Sequence, residues 1–350
     1  MKARSLRLGI ALAATAFFSA SAQARDFTIV AWGGKLQDVY RETYFKPFTE
    51  MSGSKVLEDV YLGGWGQFEA MQKTGVGNWD VVQVESSELA RGCEEGTFVK
   101  LDWSRIADKN EFIPGAVSDC GLGAVFGGIL PAYNADLVKT APTKLTDFWD
   151  LKTWPGKRGM RKGPKFNLEL AMLADGVAPG EVYSTLETPE GLDRAFKKLD
   201  EIKPQIQWWE AGDQPPSWLA SGDVAMSIAY SSRVVSAQSE GKNIQMVWER
   251  FVYFIDSWVI MAGTPHEDTA YKFLSFFAKP EPQIEFVKRF AYGVPSIAAA
   301  KATPEDIAKN LPIGDKMKQA VFSGDPAATQ FWLDNLDAIT ERWNAWAGSN

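Results

Sequence analysis

The chain has 350 residues, a formal net charge of −7 and one histidine. An excess of acid excludes the clustered Lys and Arg that nucleic acid requires, and two Cys with one His supply too few ligands for a zinc centre. The length suffices for two lobes.

The first 24 residues combine a basic start (Lys2, Arg4, Arg7), an apolar run from Leu8 to Phe18 and a small-residue cleavage site at Ala22-Gln23-Ala24. They read as a secretory signal peptide; the apolar run is too short to span a bilayer, and a membrane anchor is the minor alternative. Removing its three positive charges takes the mature chain, starting near Arg25, to −10. In an oxidising compartment Cys93 and Cys120 are expected to form one disulfide, the alternative being two buried thiols.

From residue 25 onward strands and helices alternate. "FTIVA" (27–31) is an apolar strand ended by Gly33-Gly34, and a helix is expected over 36–53, with Val39, Phe45 and Phe48 on one face and a stop near Gly53. "KVLEDVY" (55–61) reads as a second strand, "WGQFEAMQK" (65–73) as a helix and "DVVQV" (80–84) as a third strand. Such alternation argues for α/β lobes with largely parallel sheets. Near Pro131, "FGGILPAYNADLV" (126–138) carries the glycine and proline of a passage between lobes. Then follow "TDFWDLKTWPGKRGM", a long helical stretch, "SGDVAMSIAY" and "NIQMVW"; "SWVIMAG" (257–263) reads as a strand rejoining the first lobe, and 268–290 as an amphipathic helical pair.

Enzyme chemistry finds little support. His266 sits at a helix start with Glu267 and Asp268 and has no evident nucleophile or metal partner. No P-loop or GxGxxG after a strand occurs. Paired acids such as Glu94-Glu95 fall on a solvated turn. The chain holds 14 Trp; most tryptophans pack in cores, but Trp32, Trp65 and the Trp208-Trp209 pair lie beside turns. In open α/β sheets ligands bind at the carboxyl ends of strands, and an aromatic face there attracts an ammonium.

Several patches resemble the periplasmic solute-binding proteins of ABC transporters, and among them the spermidine/putrescine-binding group. These are "VAWGGKLQDVYRETYFKPFTEMSGSKV", "NWDVVQVESSELARG", "VFGGILPAYNADLV", "LTDFWDLKTWPGKRGM", "SGDVAMSIAYSS", "VYFIDSWVIMAGTPHEDTAYKFLSFF" and "AYGVPSIAA". The resemblance implies a two-lobed α/β binding protein of type II, mainly parallel sheets in each lobe, and two crossover strands forming the hinge. It places lobe 1 at 25–131 and 258–300, lobe 2 at 132–257 and 301–350. It implies a monomer with no cofactor, metal or nucleic acid, partnered by a small-molecule ligand and an inner-membrane ABC permease. Carried over by position, Trp32, Phe126, Tyr230 and Tyr292 fall at aromatic cleft positions, Asp256 where polyamine binders receive an ammonium, and Ser87 near a polar contact. Trp209 and Ser231 join them as candidates beside the cleft.

The departure from the polyamine pattern concerns charge. Where that group has a second acidic cluster, "GMRKGPKFNLEL" offers Arg161, Lys162 and Lys165, and the turn after the next strand carries Arg233. A diamine is repelled by such an end; a zwitterion with separated charges matches both. Arg233 is therefore read as a carboxylate clamp, its guanidinium offering two parallel donors near a helix start. The competing reading pairs it with an internal acid such as Asp223 or Glu210. An acid and a base 23 residues apart favour an ω-amino acid such as 4-aminobutyrate. Betaines are a near competitor, a polyamine is the alternative within the binding class, and a secreted enzyme is the less favoured third reading. Ferric iron is disfavoured, because the adjacent tyrosines of iron-binding relatives are missing.

Overall fold

The computed structural model describes residues 25–75 and 77–348; the expected signal peptide lies outside them. Among the described residues ten strands form one continuous sheet: β1 (Phe27–Ala31), β2 (Val56–Val60), β3 (Val81–Val84), β4 (Gly121–Asn134), β5 (Arg158–Arg161), β6 (Ile206–Trp209), β7 (Met226–Tyr230), β8 (Ile244–Met246), β9 (Phe251–Ile260) and β10 (Ala320–Phe322). The order is β2-β1-β3-β9-β4-β7-β5-β6, with β10 on β9 and β8 on β4. The pairs β1–β2, β1–β3, β5–β6 and β5–β7 are parallel. The crossover strands β4 and β9 run antiparallel to each other, and β9 runs antiparallel to β3 and β4 to β7. Every residue of β4 and β9 is buried, as suits strands covered on both faces.

The first helical stretch runs from Gly34 to Ser52 with a π-helical turn over Arg41–Phe45, and Gly53 ends it in the left-handed conformation (φ 70°), the usual glycine stop. Tyr40, Tyr44, Phe45 and Phe48 face Trp258, Phe273, Phe277 and Phe286. The amphipathic pair expected over 268–290 is observed as the helices Glu267–Phe277 and Pro280–Arg289. Both crossover strands begin earlier than read: β4 at Gly121, not Phe126, and β9 at Phe251, not Ser257.

The disulfide joins Cys93 to Cys120, tying the helix Ser86–Glu94 to the start of β4. Among the described residues no cluster of three or more His, Cys, Asp or Glu could hold a metal ion, and no helix is long and apolar enough to cross a membrane. His266 takes the carbonyl of Arg25 at 2.5 Å and sets its ring against Phe27. Its surroundings account for it as a structural contact.

Candidate functional site

Between the β1–β3 side of the sheet and the β5–β7 side lies a narrow cavity. The carboxyl ends of β1, β3, β5 and β7 meet there, where parallel sheets leave the room that ligands use. Its lining includes Trp32, Tyr230, Arg233, Asp256 and Tyr292 from the expected set, together with Glu85, Arg161, Phe166 and Phe254.

Asp256 projects from the middle of β9. Its Oδ2 accepts from Trp32 Nε1 at 2.8 Å and from Gln83 Nε2 at 3.2 Å. Among the described residues nothing donates to its Oδ1. Burial, together with the negative charges of Glu85 and Glu88, pushes its carboxyl well above the ordinary value, although the Trp32 hydrogen bond and Arg161 pull the other way. It is a carboxyl short of one cation.

Arg233 stands in the first turn of the helix Ser231–Ser239 and is 4% exposed. Its Nη1 donates to Asp213 Oδ1 at 2.7 Å and its Nη2 to the Gly33 carbonyl at 3.3 Å, while its buried Nε has no partner among the described residues. The internal acid beside it is thus Asp213, not Asp223 or Glu210. The Asp213 side chain is half exposed, so water screens that pair. Gly34 makes this approach possible: a Cβ there would lie 1.9 Å from Asp213 Oδ2, at a φ of 60° that side chains disfavour.

Rings form the walls. Trp32 stacks on Tyr61 at 5.2 Å. Phe254 meets Tyr230 and Tyr292 edge-on at 5.5 and 5.8 Å. Phe166 adopts φ 71°, an outlier for a bulky residue of the kind that surroundings must hold in place. Asn167 pins the loop beside it by donating to the carbonyls of Arg161 and Gly163 at 2.6 and 2.7 Å. Burial raises the Tyr230 and Tyr292 hydroxyls above the ordinary phenol range, so both present neutral groups.

Four expected site residues stand outside the cavity lining. Phe126 packs on Tyr253, and its backbone exchanges two 2.9 Å hydrogen bonds with Gly293, holding the Tyr292 turn in place. Trp209 lies behind Tyr230 at 5.6 Å. Ser231 Oγ accepts from the Gly128 amide at 3.3 Å. Ser87 is bound to Glu88 and Lys165. The basic residues of "GMRKGPKF" are engaged as well. Arg161 pairs with Glu85 and Lys165 with both Glu85 and Glu88, each at 2.6 Å, while Lys162 pairs with Glu210 at the surface. Glu85 had a legible signal, an acid at the carboxyl end of the third strand. Phe166 and Phe254 had none beyond being aromatic.

The chemistry of this arrangement is that of a clamp. An uncompensated carboxylate and a guanidinium with a free donor face one ring-lined space. Among the described residues no nucleophile–base pair is assembled there.

Relatives of known class agree with the geometry. A gamma-aminobutyric acid-binding protein of Pseudomonas aeruginosa is 41% identical over 339 residues, 97% of this chain and 94% of its own. The spermidine/putrescine-binding periplasmic protein of Escherichia coli is 21% identical over 296 residues, covering 80% of this chain and 82% of its own. Among solved structures, a GABA receptor superimposes with a TM-score of 0.81 at 31% identity, covering 93% of this chain and 98% of that one. MotA from Agrobacterium tumefaciens, in complex with glucopine, gives 0.84 at 26% identity, covering 92% and 100%. These neighbours share the type II binding-protein fold. A model of the bacterial extracellular solute-binding proteins matches residues 43–313, and with relatives of this coverage the chain belongs to that family.

Proposed function

We propose that the protein is a periplasmic receptor of an ABC importer that captures a small zwitterionic ω-amino acid, 4-aminobutyrate foremost, and delivers it to an inner-membrane permease. It is a binding protein and not an enzyme, as its family is. The observation that carries the ligand class is the pair of incomplete partners: among the described residues no cation pairs with Asp256 and no acceptor meets Arg233 Nε. An ammonium satisfies the first and a carboxylate the second, while methylenes lie against Trp32, Tyr230, Phe254 and Tyr292. Each buried methylene adds about 0.8 kcal/mol, so three add about 2 kcal/mol, and the charged ends supply most of the selectivity. The 41% identical relative bears the name of a gamma-aminobutyric acid-binding protein, which supports the same ligand.

The lobes divide at the crossover strands, with 25–131 and 258–300 in one and 132–257 and 301–350 in the other, and they close on ligand by a hinge at β4 and β9. The protein acts as a monomer after its leader, residues 1–24, is removed during export.

Calorimetric titration of the purified protein with 4-aminobutyrate, putrescine, butylamine and butyrate tests the reading. The expected order places 4-aminobutyrate first, with butylamine and butyrate each at least about thirtyfold weaker. A preference for putrescine would replace this reading with a polyamine receptor.

A further inference from the structure

Two guanidiniums, Arg161 and Arg233, line one cavity, yet their counter-ions differ. Arg233 pairs with Asp213, whose side chain is half exposed and screened by water. Arg161 pairs with a buried acid: Glu85 Oε1 lies 2.6 Å from its Nη1, both side chains being about nine-tenths buried, a charge pairing whose angles fall outside hydrogen-bond geometry, and its guanidinium rests 5.1 Å over the Phe166 ring. The other oxygen of Glu85 binds Lys165, and Lys165 in turn binds Glu88. These four residues, two acids and two bases, sum to zero charge. They join the end of β3 and its helix to the end of β5 across the cleft.

Place matters as much as charge. The register of β3 on β9 pairs Val84 with Ser257 and so carries Glu85 up to Asp256, and Glu85, Arg161 and Asp256 line one cavity, so the network stands at the ammonium end of the cavity. An α-amino acid carries a carboxylate on the carbon that bears its ammonium, and L-glutamate is 4-aminobutyrate with such a group added. That extra carboxylate would lie beside Asp256 and Glu85, and its natural partner would be Arg161.

We infer that Glu85 is a specificity residue: by neutralising Arg161 it denies a partner to any carboxylate next to the ligand's ammonium, and so excludes α-amino acids and amino dicarboxylates from a site that accepts the ω-amino acid. The inference rests on the ligand class proposed above. Its physical basis is selection by an unfavourable charge placed against the wrong ligand. The right ligand has no second carboxylate, so the network costs it little. Without Glu85, Arg161 and Asp256 would form the compact cation–anion clamp that an α-amino acid fits.

The test is calorimetry of wild type and Glu85→Gln with 4-aminobutyrate and L-glutamate at neutral pH, with folding checked by thermal unfolding. The expected result is that the wild-type preference for 4-aminobutyrate over L-glutamate falls by about tenfold or more, chiefly through tighter L-glutamate binding. The double variant Glu85→Gln/Arg161→Gln, which has no released cation, should keep the preference. If Glu85→Gln does not fold, Glu85→Asp, with its carboxylate withdrawn by one methylene, should shift the ratio in the same direction by a smaller factor. A folded variant that loses both ligands in parallel, or keeps the wild-type ratio, overturns the role given to Glu85 and leaves the receptor reading standing. A wild-type protein that fails to bind 4-aminobutyrate overturns both.

Discussion

Replacing Asp256 with Asn should separate binding from stability. Asn is isosteric: its Oδ1 can take over the bonds from Trp32 and Gln83 now made to Asp256 Oδ2, while its amide faces the cavity where the free oxygen stood. The wall therefore loses a charge and no hydrogen bond. For an ammonium ligand the lost contact lies inside a closed site, so the cost is about 2–5 kcal/mol, or roughly thirtyfold to several-thousand-fold in affinity. Stability moves the other way. The Asp256 carboxyl is raised above its ordinary value, chiefly by burial, so the folded state binds its proton more tightly than the unfolded state does. Asp256 therefore makes the wild type lose stability as pH climbs from the unfolded value through the raised one. The Asn variant lacks that slope and should melt at or above the wild-type temperature at neutral pH. The same linkage gives binding a pH dependence. The ammonium needs the ionised carboxyl, so affinity should fall tenfold for each pH unit below the raised value, and binding should release a proton. Calorimetry in two buffers of different ionisation enthalpy, between about pH 5 and pH 8, measures both effects. Binding by the Asn variant within threefold of wild type, or a flat pH profile without proton release, would refute the assignment of Asp256 to the ammonium.

Arg233→Ala should weaken 4-aminobutyrate by at least about thirtyfold while harming butylamine less, in the same titration; equal loss of both would make Arg233 a structural partner of Asp213. Glu169 is buried beneath the C-terminal helix, where Tyr183 and Trp332 donate to it at 3.0 Å, and burial, opposed by those bonds, raises its carboxyl to about 7. Its folded form thus prefers the proton, and stability falls as pH rises from the unfolded value through about 7. Glu169→Gln should be more stable than wild type by up to about 3 kcal/mol above that range, and nearly equal to it under acid, in denaturant titrations at the two pH values. Thiol titration of the denatured, unreduced protein should find no free thiol at Cys93 or Cys120; two reactive thiols per chain would count against the bridge.

Much of the framework was legible because period and punctuation agreed. The strand Phe27–Ala31 and the stop at Gly53 follow directly from apolar runs and glycine placement. β4 was read short because the glycines and proline of 126–138 marked a passage between lobes and gave no strand start at Gly121. Gly123 and Gly127 are there because β4 is crowded: an added Cβ would lie 2.6 Å from Ala116 and 2.6 Å from Tyr292. At the site, residues on strand ends were found and their pairings were not. Arg161 and Lys165 look like free cations in the chain, since their partners Glu85 and Glu88 lie more than seventy positions away. Phe126 was placed in the cleft by position, whereas its ring sits among Tyr253 and Gly293. One-dimensional patterns indicate which way a side chain leans; they do not indicate which distant segment arrives to meet it.

The antiparallel seating of β9 between β3 and β4 also bears on when the protein can fold. Val81 pairs with Ile260 and Val84 with Ser257, so the sheet that β1, β2 and β3 form among themselves gains its central neighbour only once residues beyond 250 exist. At about 5–20 residues per second of synthesis, the interval between β3 and β9 is roughly ten to thirty seconds. Over that time the N-terminal strands remain without their central neighbour, and such long-range pairing is slow to form once available. The order of the strands thus postpones completion of the central sheet until late in synthesis.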